Sequence, residues 1–241
     1  MCKTVRRGYV SSDEKEFNKE ALVKLYSARN DLFYLLNNGY KIKNASIFVG
    51  NHYLLSERQR IALTRGVSSE KSINKRIEKE IKSSLEGRII NIDGFNTIIT
   101  LEVALSNSIL LKCMDGTIRD LAGLRGTYKL IDKTDIAINI IGKKLEKEKV
   151  AKVNFYLDAP VSNSGRLKMR ILDILSKFSF HVEVNIINNV DTTLELLDNV
   201  VSSDGIILDK CKGWINLNSI LIEEYIKDYP YIDFTNKIRH L

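Results

Sequence analysis

Three apolar, β-branched runs of this chain each end in an aspartate. Arg88 to Ile92 leads into Asp93-Gly94-Phe95-Asn96, Lys152 to Leu157 into Asp158-Ala159-Pro160, and Asn199 to Ser203 into Asp204-Gly205. From Gly87 onward such runs alternate with helical patterns, which specifies βαβ units and a largely parallel sheet. The carboxyl ends of the strands then lie along one edge, where ligands bind. Three carboxylates gathered there repel one another and raise each other's pKa unless a cation lies among them. The pattern predicts a magnesium- or manganese-type site and phosphodiester chemistry.

Charge divides the chain in the same place. Residues 1–85 hold 17 Lys and Arg against 9 Asp and Glu, a net of +8, whereas residues 86–241 hold 20 against 21, a net of −1. A basic module beside a near-neutral one suits a polyanion docked next to a separate site. A Lys-rich solvated helical surface has the same composition. Length is sufficient for one large or two modest domains, and the chain is read as 1–86 and 87–241. Cys2, Cys113 and Cys211 form no CxxC pair, and His52, His181 and His240 have no metal-ligand spacing. This argues against a disulfide framework or a Cys/His zinc site and for a reducing cytoplasm. The polar start, Met1 to Val10, is no signal peptide, and apolar stretches such as Ile136 to Ile141 are too short to span a bilayer.

Residues 1–18 read as poorly ordered. Leu22, Leu25, Leu32 and Leu36 form a helical stripe stopped at Asn37-Asn38-Gly39. A second helix fits Asn44 to Val49. Ser56-Glu57-Arg58-Gln59 is a capping box opening a third, and the outline resembles a helix-turn-helix. Ile73, Ile77, Ile81 and Leu85 predict one connecting helix from Ser69 to Leu85. Strands are expected near 88–92, 108–113, 152–157, 181–187, 199–202 and 214–217, with a hairpin turn at Asp115-Gly116. Helices are expected over Thr134 to Lys147, Ser164 to Lys177, Asp191 to Leu197 and Ser219 to Asp228.

Each candidate site residue also has a structural reading. Asp93 is a metal ligand or an Asp-Gly turn that stops a strand, with Gly94 permitting close approach and Asn96 orienting water or phosphate. Asn163 and Ser164 bind an anion at a helix N-terminus or act as an N-cap. Ser203 positions substrate beside Asp204, or either residue caps a helix. Asp209 reads as a surface carboxylate. Glu102, in the apolar segment Ile98 to Leu105, is costly to bury unpaired, and Asp120 has Arg119 at hand as an ion-pair partner. Arg58 and Arg60 on the capped helix, and Arg125 in a Gly-rich loop, are the phosphate-binding candidates. No P-loop, dinucleotide fingerprint or nucleophile elbow is present.

Gly39-Tyr40, Val49 to Arg60, Ile92 to Asn96, Arg119 to Gly123 and Tyr156 to Gly165 together resemble an archaeal family of domains of unknown function, family 434, across nearly the whole chain. The C-terminal part is similar to PIN-like and NYN nucleases, metal-dependent ribonucleases on a parallel α/β sheet. The similarity lies in Asp93-Gly94-Phe95-Asn96, Asp158 and Ser203-Asp204. That resemblance implies a three-layer PIN-like domain in which Asp93, Asp158 and Asp204 are the catalytic carboxylates that hold Mg²⁺ or Mn²⁺. Gly205-Ile206 stands where many members carry a second aspartate, and the hairpin near Asp115 is an insertion. The expected function is a divalent-metal nuclease, acting on RNA in preference to DNA and away from membranes, with a homodimer left open. The alternative is a non-catalytic nucleic-acid-binding protein on the same fold.

Overall fold

The structure is a computed structural model that describes residues 5–124 and 126–235. Arg125 therefore lies outside the described residues, as do Cys2 and His240.

A short first helix, α1 (Asp13–Glu16), precedes α2 (Lys19–Asn37), α3 (Ile42–His52), α4 (Glu57–Gly66) and α5 (Glu70–Lys79). The capping box forms in full. The Gln59 amide donates to Ser56 Oγ at 3.2 Å and the Ser56 amide to Gln59 Oε1 at 3.0 Å. The α/β part follows as β1 (Ile89–Asp93), α6 (Gly94–Leu105), β2 (Leu110–Lys112), β3 (Ile118–Asp120), α7 (Asp132–Lys147), β4 (Lys152–Asp158), α8 (Ser164–Leu175), β5 (His181–Ile187), α9 (Val190–Leu194), β6 (Val200–Val201), α10 (Gly205–Lys210), α11 (Leu217–Tyr225) and β7 (Tyr231–Asp233).

Four strands form a parallel sheet in the order β5-β4-β1-β6. The chain moves outward from β1 to β4 and β5, then returns to the far side of β1 for β6. The direction of winding reverses between β1 and β6, so the crevice of this sheet opens at their carboxyl ends. A smaller sheet, β3-β2-β7, contains the expected hairpin at Asp115-Gly116 and a parallel pairing of β2 with β7.

Alternation along β2 sends its side chains into two of the three hydrophobic clusters among the described residues. Leu110 joins the main core with Ile90, Ile92, Ile98, Phe155 and Leu167. Its neighbour Leu111 joins Leu25, Leu32, Val49 and Leu63 of the N-terminal helices, together with Ile232 and Phe234 from β7 and beyond. The core shared by α2, α3 and α4 is thus completed by residues from beyond position 110.

Several expectations are corrected. The Ser69 to Leu85 helix ends at Lys79. Glu80 then runs extended beside Trp214, and the Ile81 amide donates to the Trp214 carbonyl at 2.8 Å. Trp214 makes only isolated bridges, to Glu80 and Val200, so 214–217 is not a strand, and Leu217 opens α11. Residues 5–18 are tied down. Arg7 Nε donates to Glu102 Oε2 at 2.8 Å, and Asp13 is a buried ion-pair partner of Arg58. Among the described residues no helix is long and apolar enough to cross a membrane.

Candidate active site: an aspartate-lined cleft

Each strand end delivers its carboxylate to one cleft of about 600 Å³. Asp93, Asp158 and Asp204 all line it, with Asn96 and Ser203. Asp93 ends β1 and caps α6. Its Oδ1 accepts from the Asn96 amide at 3.4 Å and its Oδ2 from Ser202 Oγ at 2.9 Å. The cap requires α6 to start hard against β4. A Cβ on Gly94 would lie 2.6 Å from Leu157 Cδ2 and 3.0 Å from the Tyr156 carbonyl, so only glycine fits. Asn96 Oδ1 accepts from the Ser203 hydroxyl at 2.7 Å and the Ser203 amide at 3.2 Å, which ties the β1 and β6 loops together. Asp204 caps α10 through Oδ1, which accepts from the Ile206 amide at 2.7 Å.

Asp191, at the start of α9 past the end of β5, brings a fourth carboxylate to the cleft. Sequence reasoning took it for a helix start only. The signal was the same strand-end placement, obscured by Asn188, Asn189 and Val190 between strand and aspartate. Burial pushes Asp93 up to about 7, with the negative charges of Asp191 and Asp204 adding to it. Burial also raises Asp191, as do Asp204 and Asp158, and burial raises Asp158. Among the described residues none of these four aspartates forms an ion pair.

The basic module also lines the cleft, with Arg65 from α4, whose side chain is 40% exposed. Its Nη1 donates to the Asp120 carbonyl at 2.6 Å and lies 3.5 Å from Asp120 Oδ1, so Asp120 pairs with Arg65, not with Arg119. Burial raises the pKa of Asp120 despite that arginine. Asp209 also reaches the cleft, where it holds Arg76.

The other candidates lie elsewhere. Arg58 is spent on Asp13 and on the Gly8 and Leu121 carbonyls, and Arg60 on the Leu55 and Gly50 carbonyls. Asn163 donates to the Tyr128 carbonyl at 2.8 Å, and Ser164 Oγ donates to the Asp158 and Val161 carbonyls. None of the four lines the cleft. Glu102 is buried away from it and satisfied by Arg7, Tyr128 and Thr134.

An all-oxygen set suits a hard cation. Among the described residues no three His, Cys, Asp or Glu side chains stand close enough to hold one ion. Mg²⁺ rarely needs such a cage, being bound by one or two carboxylates together with water and substrate phosphate. The donors fit a cation of that kind and not a preformed, closed metal centre.

Fold and cleft define an α/β protein with an acidic crevice at the switch point of a parallel sheet. The chain belongs to the family described as Domain of unknown function (DUF5616), whose model matches residues 82–220. A second model, Protein of unknown function (DUF434), matches residues 24–79. The resemblance to family 434 is therefore confined to the helical part, and Ile92 to Asn96, Arg119 to Gly123 and Tyr156 to Gly165 fall within the other model. An uncharacterized protein of Methanocaldococcus jannaschii is 36% identical over 209 residues, which cover 85% of this chain and 99% of that relative. No solved structure matches the chain.

Proposed function

We propose that this protein hydrolyses phosphodiester bonds in a polynucleotide, RNA in preference to DNA, at the carboxylates of the cleft. One observation carries the reading. Among the described residues, four aspartates without an ion-pair partner share one cleft, with raised pKa values at Asp93, Asp158 and Asp191, and Arg65 of the basic module lines the same cleft. Such an uncompensated set of carboxylates calls for a cation. One or two carboxylates of the set Asp204, Asp158 and Asp191 would hold Mg²⁺ or Mn²⁺ together with water and substrate phosphate, and Asp93 would become available on losing its proton. A divalent cation there activates water and stabilises charge on the scissile phosphate. Arg65 orients a phosphate of the bound strand. Asn96 and Ser203 fix the two acidic loops relative to each other.

The test is cleavage of labelled RNA and DNA oligonucleotides with Mg²⁺, Mn²⁺ or EDTA. Asp204→Asn and Asp158→Asn should each lower the metal-dependent rate by about 100-fold or more, a loss typical of removing a key transition-state contact. A rate unchanged in both variants would refute the reading. The net charge of +8 over residues 1–85 favours one other reading, a nucleic-acid-binding protein without catalysis. Tight, salt-sensitive RNA binding in EDTA with no cleavage in either metal would select it.

A further inference from the structure

We propose that Asp115, at the tip of the β2–β3 hairpin, is a positioning residue for the cleft. It anchors two arginines that grip the backbone on either side of Asp204. Its functional meaning rests on the reading of the cleft given above; the grip itself does not.

The Asp115 side chain is fully buried, where a lone carboxylate is prohibitively costly. Both oxygens are satisfied. Oδ2 accepts from Arg76 Nη1 at 2.6 Å and from Arg119 Nη2, and Oδ1 accepts from Thr117 Oγ1 at 2.6 Å and the Thr117 amide at 3.2 Å. Each arginine then reaches past Asp115. Arg119 Nε donates to the Ser203 carbonyl at 2.6 Å, and Arg76 Nη2 to the Gly205 carbonyl at 3.2 Å. The residue between those two carbonyls is Asp204.

The neighbouring elements are too short to hold that loop unaided. β6 has two residues and α10 has six. Helices this short are marginal without outside contacts. The charge arrangement has a second effect. Asp115 holds both guanidiniums and Asp209 binds Arg76 through two further contacts, at 2.7 and 3.0 Å. Both cations are thereby committed and do not pair with Asp204, whose carboxylate stays available to the cleft. Burial pushes Asp115 up, but Arg119 and Arg76 outweigh it and hold the carboxyl below the usual range, so the anchor stays ionised at neutral pH.

The experiment uses the full chain and the variants Asp115→Asn, Asp115→Glu and Arg119→Lys. Amide hydrogen exchange is read at Asp204 and Ile206, with β4 amides as the internal reference, beside Mn²⁺ titration by calorimetry. Asp115→Asn should speed exchange at Asp204 and Ile206 at least tenfold, leave β4 unchanged and weaken Mn²⁺ binding at least tenfold. Asp115→Glu should restore most of both. Unchanged exchange at Asp204 and Ile206 would overturn the proposal, as would equal acceleration throughout β4, the mark of a purely structural ion pair. Should Asp115→Asn fail to fold, Arg119→Lys decides on the same criterion, since an ammonium cannot span Asp115 and the Ser203 carbonyl. A wild type that binds no Mn²⁺ would refute the functional reading, while the exchange data would still decide the positioning.

Discussion

Asp93 is a residue whose chemistry departs far from that of an ordinary aspartate. In the folded chain it keeps its proton up to about pH 7, whereas the unperturbed group ionises near 3.8. Between those values the folded state binds more protons than the unfolded one. Its contribution to stability is therefore full below 3.8 and is lost as pH rises through 7. Asp93→Asn keeps the helix cap and abolishes the titration. We expect it to match the wild type near pH 4 and to exceed it by on the order of 3 kcal/mol at pH 8 in denaturant unfolding. Parallel stability curves for the two proteins would refute this. A cation at the site competes with the same proton, so Mn²⁺ affinity should fall about tenfold for each pH unit below 7. The strand-end aspartates were legible in the sequence because strand, aspartate and glycine or proline are neighbours in the chain. Arg58 and Arg60 were not, since an arginine that caps a carbonyl and one that meets a phosphate have the same local sequence.

The element that sets the cleft is α6. Ten of its twelve residues are buried, so it shows no polar face, and Thr97, Ile98, Ile99 and Thr100 read as strand formers. Only the tertiary setting makes Gly94 to Leu105 helical, which is why the periodicity of Ile98 to Leu105 revealed nothing. The connecting helix failed in the opposite sense. Ile81 and Leu85 keep the apolar spacing because both pack on the core, yet Trp214 captures the backbone of Glu80 and Ile81. Gly94→Ala tests the fit of α6 against β4. A methyl driven into Leu157 and the Tyr156 carbonyl should cost about 1–3 kcal/mol of stability in chemical denaturation and perturb the Asp93 cap. A neutral substitution would mean that the two elements slide apart freely.

Across the whole molecule, the charge boundary near residue 86 and the packing boundary do not coincide. Helices α2, α3 and α4 share their core with Leu111, Cys113, Leu121, Ile232 and Phe234. A fragment of residues 1–86 should therefore show weak, non-cooperative thermal unfolding by circular dichroism, while the full chain unfolds cooperatively. A sharp transition in the fragment would show that the helices close a core of their own. The composition revealed two charge regimes, but it carried no trace of this exchange, because a pairing such as β2 with β7 joins segments far apart in sequence. The shared core also orders events in time. During synthesis the helices emerge first, and roughly 200 residues separate Phe17 from the strand that covers its cluster. Until Ile232 and Phe234 clear the ribosome, the cluster shared by α2, α3 and α4 lacks part of its cover. The N-terminal helices are thus the segment whose apolar surface waits longest for its cover.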